Sequence, residues 1–202
     1  MSWVGQTELR AAFARRLSTM YGGEVPAYTT LVEVAHEVNA EVLAREGSAA
    51  ERLGSIDRVS AERHGAIRVG GPAELAQVGR LFAAMCMHRG GFYDLRDAQP
   101  APRPIVSTAC RPTDPVELAR NPFRVFTSVL VPEDRRFFDA ALQARVQAFV
   151  AARTLFPPAL LELADRAAAG GGLRTEEADR FLDLATVAFA LSPDPIDKPW
   201  YD

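Results

Sequence analysis

With 23 basic and 26 acidic side chains in 202 residues, a net charge of -3 and a pI near 5.7, the chain offers no basic field to hold a nucleic-acid backbone. No apolar run approaches the ~20 residues that span a bilayer, and the N-terminus MSWVGQTELRAAFARR lacks an apolar signal core with a small-residue cleavage site. These features exclude nucleic-acid and membrane partners and predict a cytoplasmic protein.

In chain order, Thr7 can cap a helix in which Leu9, Phe13, Leu17 and Met20 recur at helical spacing, ended by Gly22 and Gly23. A longer helix begins near Pro26, carries Leu31, Val34, Val38 and Val42 on one stripe, and stops around Gly47. ERHGAIRVGG, Glu62 to Gly71, reads as a strand, since Gly65 would weaken a helix there and the glycine pair would stop it. GPAELAQVGRLFAAMCM follows as a helix with Pro72 in its first turn and Leu75, Val78, Phe82 and Met85 buried. GGFYDL, RPIVSTACRP and NPFRVFTSVLVP are short runs rich in β-branched and aromatic residues between turn formers, so they read as further strands. From Glu133 the pattern turns helical again, with Pro157 and Pro158 opening one helix, glycines 170–172 closing it and Thr175 able to cap the last.

This order predicts an α+β fold: a mixed or antiparallel sheet with N-terminal helices and a C-terminal helical cluster. Residues 1–190 would form a single domain, and 191–202, with three prolines and no periodicity, a tail.

Histidine is scarce, with three in the chain. His36 reads as a helix-surface residue. His88, two residues after Cys86, reads as a helix-terminal imidazole favoured by the dipole, because two candidate ligands without partner spacing make a weak metal signal. The two cysteines, Cys86 and Cys110, match neither a disulfide framework nor a zinc knuckle and read as free thiols. His64 has more informative neighbours. On a strand, His64, Ala66 and Arg68 share one face, with His64 and Arg68 ~13 Å apart between Cα atoms. An imidazole-held metal and a guanidinium-held carboxylate could then be two ends of one small ligand, with Ala66 leaving room. From spacing alone, a surface pair of Glu62 and Arg68 on an exposed strand remains the alternative. The chain has no G-x-S-x-G, phosphate-binding glycine loop, H-E-x-x-H or dinucleotide fingerprint.

The ordered segments YGGEVPAYTTLVEVAHEVNAEVL, ERHGAIRVGGPAELAQVGRLFAAM, GFYDL and ARNPFRVFTSVL closely resemble the 2-oxoadipate dioxygenase/decarboxylase family, related to the glyoxalase-like vicinal oxygen chelate folds, from about Leu9 to about Leu184. The resemblance implies an Fe(II) enzyme acting on a 2-oxo dicarboxylate and O2: 2-oxoadipate to 2-hydroxyglutarate with release of two CO2, in lysine breakdown. It also implies that His64 is the first of two histidine ligands that join a glutamate, that Arg68 contacts a substrate carboxylate, and that the sheet is a vicinal-oxygen-chelate-like half barrel. The chain has no histidine after His88, so the family's second histidine has no matching position. The expectations that follow are a fragment, a shortened homologue that borrows ligands or has lost activity, or a new ligand set. An incomplete sheet predicts self-association, or poor solubility if the chain is a cut fragment. Two further readings stand beside the oxygenase: a non-catalytic module that binds small carboxylates through Arg68, and a metal-dependent lyase or isomerase of the same broad fold.

Overall fold

The computed structural model describes residues 2–47 and 64–191. Of the expected tail only Leu191 lies among them, and Glu62 lies outside them.

The chain opens with β1 (Trp3–Gly5) and runs into α1 (Gln6–Glu24). Gly5 holds the N-cap position without a side-chain bond, so Thr7 is not the cap; its hydroxyl donates instead to Glu117 Oε2 at 2.5 Å. Leu9, Phe13 and Leu17 are buried at the expected four-residue spacing. Gly22 and Gly23 fall inside the last turn, and the helix ends where the Val25 N–H bonds the Tyr21 carbonyl. The second helix, α2 (Pro26–Glu46), begins at its proline and ends at Gly47, whose φ of +54° suits glycine. It buries none of its residues: Leu31, Val34 and Val38 are exposed. Periodicity shows which side of this helix is apolar and not whether anything lies against it.

Next come β2 (His64–Val69), α3 (Pro72–Ala83), β3 (His88–Asp94), β4 (Ile105–Arg111), α4 (Pro115–Arg120) and β5 (Arg124–Leu130). Val78, Phe82 and Met85 are buried as expected, with Leu75 partly so. His88 opens a strand rather than closing a helix, which corrects its reading as a dipole-stabilised imidazole. Between the two elements Cys86 takes a φ of +52°. The short α4, which sequence periodicity missed, is capped by Asp114, whose carboxylate accepts from the N–H groups of Val116 and Glu117.

The helix expected from Glu133 is α5 (Ala140–Ala152), capped by Asp139 through the Leu142 N–H. It starts late because Asp134 ties the preceding turns together, accepting from Arg136 and from the N–H of that residue. After α6 (Pro158–Gly170), Gly171 takes the left-handed conformation, and β6 (Gly172–Arg174) leads into α7 (Thr175–Val187). Thr175 is the first residue of α7 rather than its cap; its hydroxyl donates to the Ser2 carbonyl. β6 pairs antiparallel with β1, which ties the N-terminus to the C-terminal helices.

The remaining strands form one mixed sheet in the order β2-β5-β4-β3, with β2 parallel to β5 and the other pairs antiparallel. Alternation along each strand divides residues between two faces. One face carries Ile67, Val69, Cys110, Val125 and Val129 into a core completed by α1, α3, α6 and α7. Phe13 sits at its centre, edge-to-face with Phe82, Phe123 and Phe189 at 6.3, 6.1 and 5.3 Å between centroids. The fully buried Arg10 donates through Nη1 to the Met85 carbonyl at 2.9 Å and through Nη2 to Glu117 Oε2 at 2.8 Å. Among the described residues, no helix is long and apolar enough to cross a membrane.

Candidate functional site

The other face of the sheet is open. Its strand register sets residues from four strands in cross-sheet rows. One row carries Arg68 on β2, Ser128 on β5, Ser107 on β4 and Tyr93 on β3. The next carries Ala66, Phe126, Ala109 and Gly90. Arg68 and Ala66 are exposed while Gly65, Ile67 and Val69 are buried, so the alternation read from HGAIRV holds from Gly65 onward. Position 64 begins the strand, in register with Arg124.

Arg68 makes no side-chain hydrogen bond or ion pair with another described residue, whereas the hydroxyls of Ser107 and Ser128 lie 3.1 Å apart in the same row. Beside Arg68 is a cavity of about 240 Å³, walled by Leu130, Val146, Phe149, Val150 and Arg153. Arg153 is fixed there: its Nε and Nη2 each donate to a Glu74 oxygen at 2.6 Å, and the guanidinium lies 5.5 Å from the Phe149 ring centre. Glu74 also accepts from the Gly70 N–H at 2.5 Å. Gly70 is required by contact, since a Cβ would sit 2.3 Å from a Val150 methyl. At the far end of the row a β-bulge brings Tyr93 over Gly91, where φ is +76° and a Cβ would lie 3.0 Å from the phenol oxygen. A second hollow, about 840 Å³ between α1 and α7, shares no residue with the sheet.

Two acids beside the sheet strands, Asp94 at the end of β3 and Asp134 after β5, are already paired with arginines. Hydrogen bonds from the Arg96 guanidinium hold the Asp94 carboxyl down to about 2, and those from Arg136 do the same for Asp134. Burial raises both thiols, Cys110 to about 11, and the Cys86 thiol donates to Gln6 Oε1 at 3.0 Å, so neither is a ready ligand. His88 stands three strands from position 64, ~14 Å at ordinary strand spacing. Among the described residues no group of three His, Cys, Asp or Glu converges, so these residues do not by themselves fit a complete metal site. The face brings together Arg68, Ser128, Ser107 and Tyr93, and position 64 lies further along β2, beyond the Ala66 row. Sequence reading found only Arg68 and His64, because the strands that supply the others are distant in the chain; the alternation in STACR and FRVFTSVL was the available signal.

A sheet built in the order β2-α3-β3-β4-α4-β5, its first and last strands parallel neighbours, is of the glyoxalase-like class of fold. A glyoxalase-superfamily protein of Ralstonia eutropha superposes with a TM-score of 0.53 at 16% identity, covering 93% of this chain and 52% of the other. The chain belongs to the 2-oxoadipate dioxygenase/decarboxylase family, whose profile matches residues 13–202. It is 60% identical over 195 residues to the 2-oxoadipate dioxygenase/decarboxylase of Mycobacterium tuberculosis, covering 96% of this chain and 46% of that protein. The Pseudomonas putida relative is 40% identical over 190 residues, covering 93% of this chain and 40% of the relative. The crystal structure of the P. putida hydroxyglutarate synthase with 2-oxoadipate superposes with a TM-score of 0.85 at 39% identity, over 95% of this chain and 42% of the other. The chain thus spans less than half the length of these curated relatives.

Proposed function

We propose that this chain forms one wall of an Fe(II)-dependent oxygenase site that oxidatively decarboxylates a 2-oxo dicarboxylate, 2-oxoadipate plus O2 giving 2-hydroxyglutarate and CO2 in lysine breakdown. Carbon balance changes the expected stoichiometry: a six-carbon oxo acid and a five-carbon hydroxy acid differ by one carbon, so one CO2 leaves per turnover and not two. In this reading His64 supplies one iron ligand, Arg68 grips a substrate carboxylate, and the remaining ligands come from outside the described residues. The observation that carries the reading is Arg68, without a side-chain partner among the described residues, in register with Ser128 and Ser107 on an open face, in a chain of this family. The planar guanidinium fork matches a carboxylate and keeps its charge at any working pH. The hydroxyls beside it supply further donors, and the apolar wall of Leu130, Val146 and Phe149 strengthens the pairing by excluding water.

Calorimetric titration with 2-oxoadipate tests the clamp: Arg68→Gln is expected to weaken binding at least ~10-fold, about 1.4 kcal/mol, and an unchanged affinity would remove Arg68 from the site. Anaerobic iron loading followed by O2 uptake tests the chemistry, with His64→Ala expected to abolish iron retention. If the purified chain retains no stoichiometric iron even at high concentration, the oxygenase reading of this chain is lost. A carboxylate-binding module is the second reading, favoured by one observation: the face gathers Arg68 and two hydroxyls, while no group of three His, Cys, Asp or Glu converges among the described residues. Binding of 2-oxoadipate without O2 uptake would select it. Among the described residues β2 and β3 are the sheet edges, which supports self-association through the incomplete sheet; a sedimentation coefficient independent of concentration would count against it.

A further inference from the structure

The rows of the open face differ in chemistry, and the Arg68 clamp uses only one of them. The row at the start of β2 carries position 64, Arg124, Arg111 and His88: His64 pairs with Arg124, His88 pairs with Arg111, and the two arginines stand one step beyond the Cys110 and Val125 pair. Arg111, Arg124 and His88 are all exposed. Neither arginine makes a side-chain hydrogen bond or ion pair with another described residue. Six other arginines, Arg10, Arg16, Arg80, Arg96, Arg136 and Arg153, each meet a carboxylate. No aspartate or glutamate stands on the three rows of this face, although the chain as a whole is acidic. Like charges opposite one another on a sheet are destabilising, so such a row is explained best by an anion that meets it. Between the two cationic rows, Ala66, Ala109 and Gly90 leave space and Phe126 offers an apolar surface, 39% exposed.

We infer that Arg124, with Arg111 beside it, is a second carboxylate clamp opposite Arg68, so that the banded face selects dicarboxylates with an apolar chain between their charged ends. The inference rests on the reading of Arg68 as one clamp and adds the residue that holds the other end. The clamp rows are ~13 Å apart along the strands, and long arginine stems on both can converge over the middle row, which leaves room for a short run of methylenes. Arg124 is then a specificity-determining residue.

The test uses adipate and hexanoate, which share a carbon chain and differ in one carboxylate; neither carries a 2-oxo group, so no metal is needed. With the intact chain, adipate is expected to bind at least tenfold tighter than hexanoate. Arg124→Gln and Arg68→Gln are each expected to bring adipate down to the affinity of hexanoate, Arg111→Gln to cost a few-fold, and Arg124→Lys to recover most of the loss with an unchanged unfolding midpoint. An absence of preference for adipate in the unmodified chain, or wild-type adipate binding by Arg124→Gln, overturns the inference. Discrimination by both arginines in a chain that takes up no iron and no O2 would uphold it while removing the oxygenase reading. O2 uptake combined with an indifferent Arg124→Gln would do the reverse.

Discussion

The two faces of the β2-β5-β4-β3 sheet are made from alternate residues of the same strands and have opposite characters. One holds Ile67, Val69, Val125 and Val129 against α1 and α3. The other leaves Arg68, Phe126 and Arg124 exposed, with Ser128 and Ser107 half-buried or buried between them. In VFTSV each step along the chain crosses from one environment to the other. The difference teaches that the packed core and the proposed ligand face are separated here by side-chain parity within a strand, not by position in the chain, and substitutions should therefore divide cleanly by face.

The sharpest test is on the sealed face. Phe13→Ala removes the ring that meets Phe82, Phe123 and Phe189; about 3–5 kcal/mol of stability should be lost, read from denaturant midpoints, with ligand affinity of the folded fraction unchanged. At the seam between the faces, Gly70→Ala drives a Cβ into Val150. It should cost about 1–3 kcal/mol and also disturb the Glu74–Arg153 bracket, so that both stability and carboxylate binding fall; an effect on stability alone would mean the bracket does not serve the Arg68 cavity. On the open face, Arg68→Gln should leave stability within about 0.5 kcal/mol while removing most 2-oxoadipate binding. Loss of stability there would break the comparison.

The smallest effect concerns the loops at the rim. Asp94 and Asp134 have folded-state values of about 2, below those of the unfolded chain, because Arg96 and Arg136 hydrogen-bond their charged forms. Their contribution is therefore complete above the ordinary aspartate range, near pH ~4, and is lost as pH falls toward 2. Arg136→Gln should move the acid-unfolding midpoint, followed by circular dichroism, slightly upward in pH. A midpoint that stays in place would mean the bracket adds nothing to folding, as often holds for exposed ion pairs.

Much of this protein is determined locally. The alternation of HGAIRV, STACR and FRVFTSVL specifies strands; Pro26 and Pro72 start helices, and Gly47 and Gly171 stop them, because φ limits and missing donors act within a few residues. That positions 64 and 68 lie on one strand was legible for the same reason. The tertiary structure decided what covers each apolar stripe, so that Phe13 and Leu17 are sealed while Leu31, Val34 and Val38 are exposed. It also decided the cross-strand register that sets Arg68 beside Ser128 and Ser107, and position 64 beside Arg124. Register and burial are properties of segments brought together from distant parts of the chain, and no periodicity within one segment encodes which neighbour it meets.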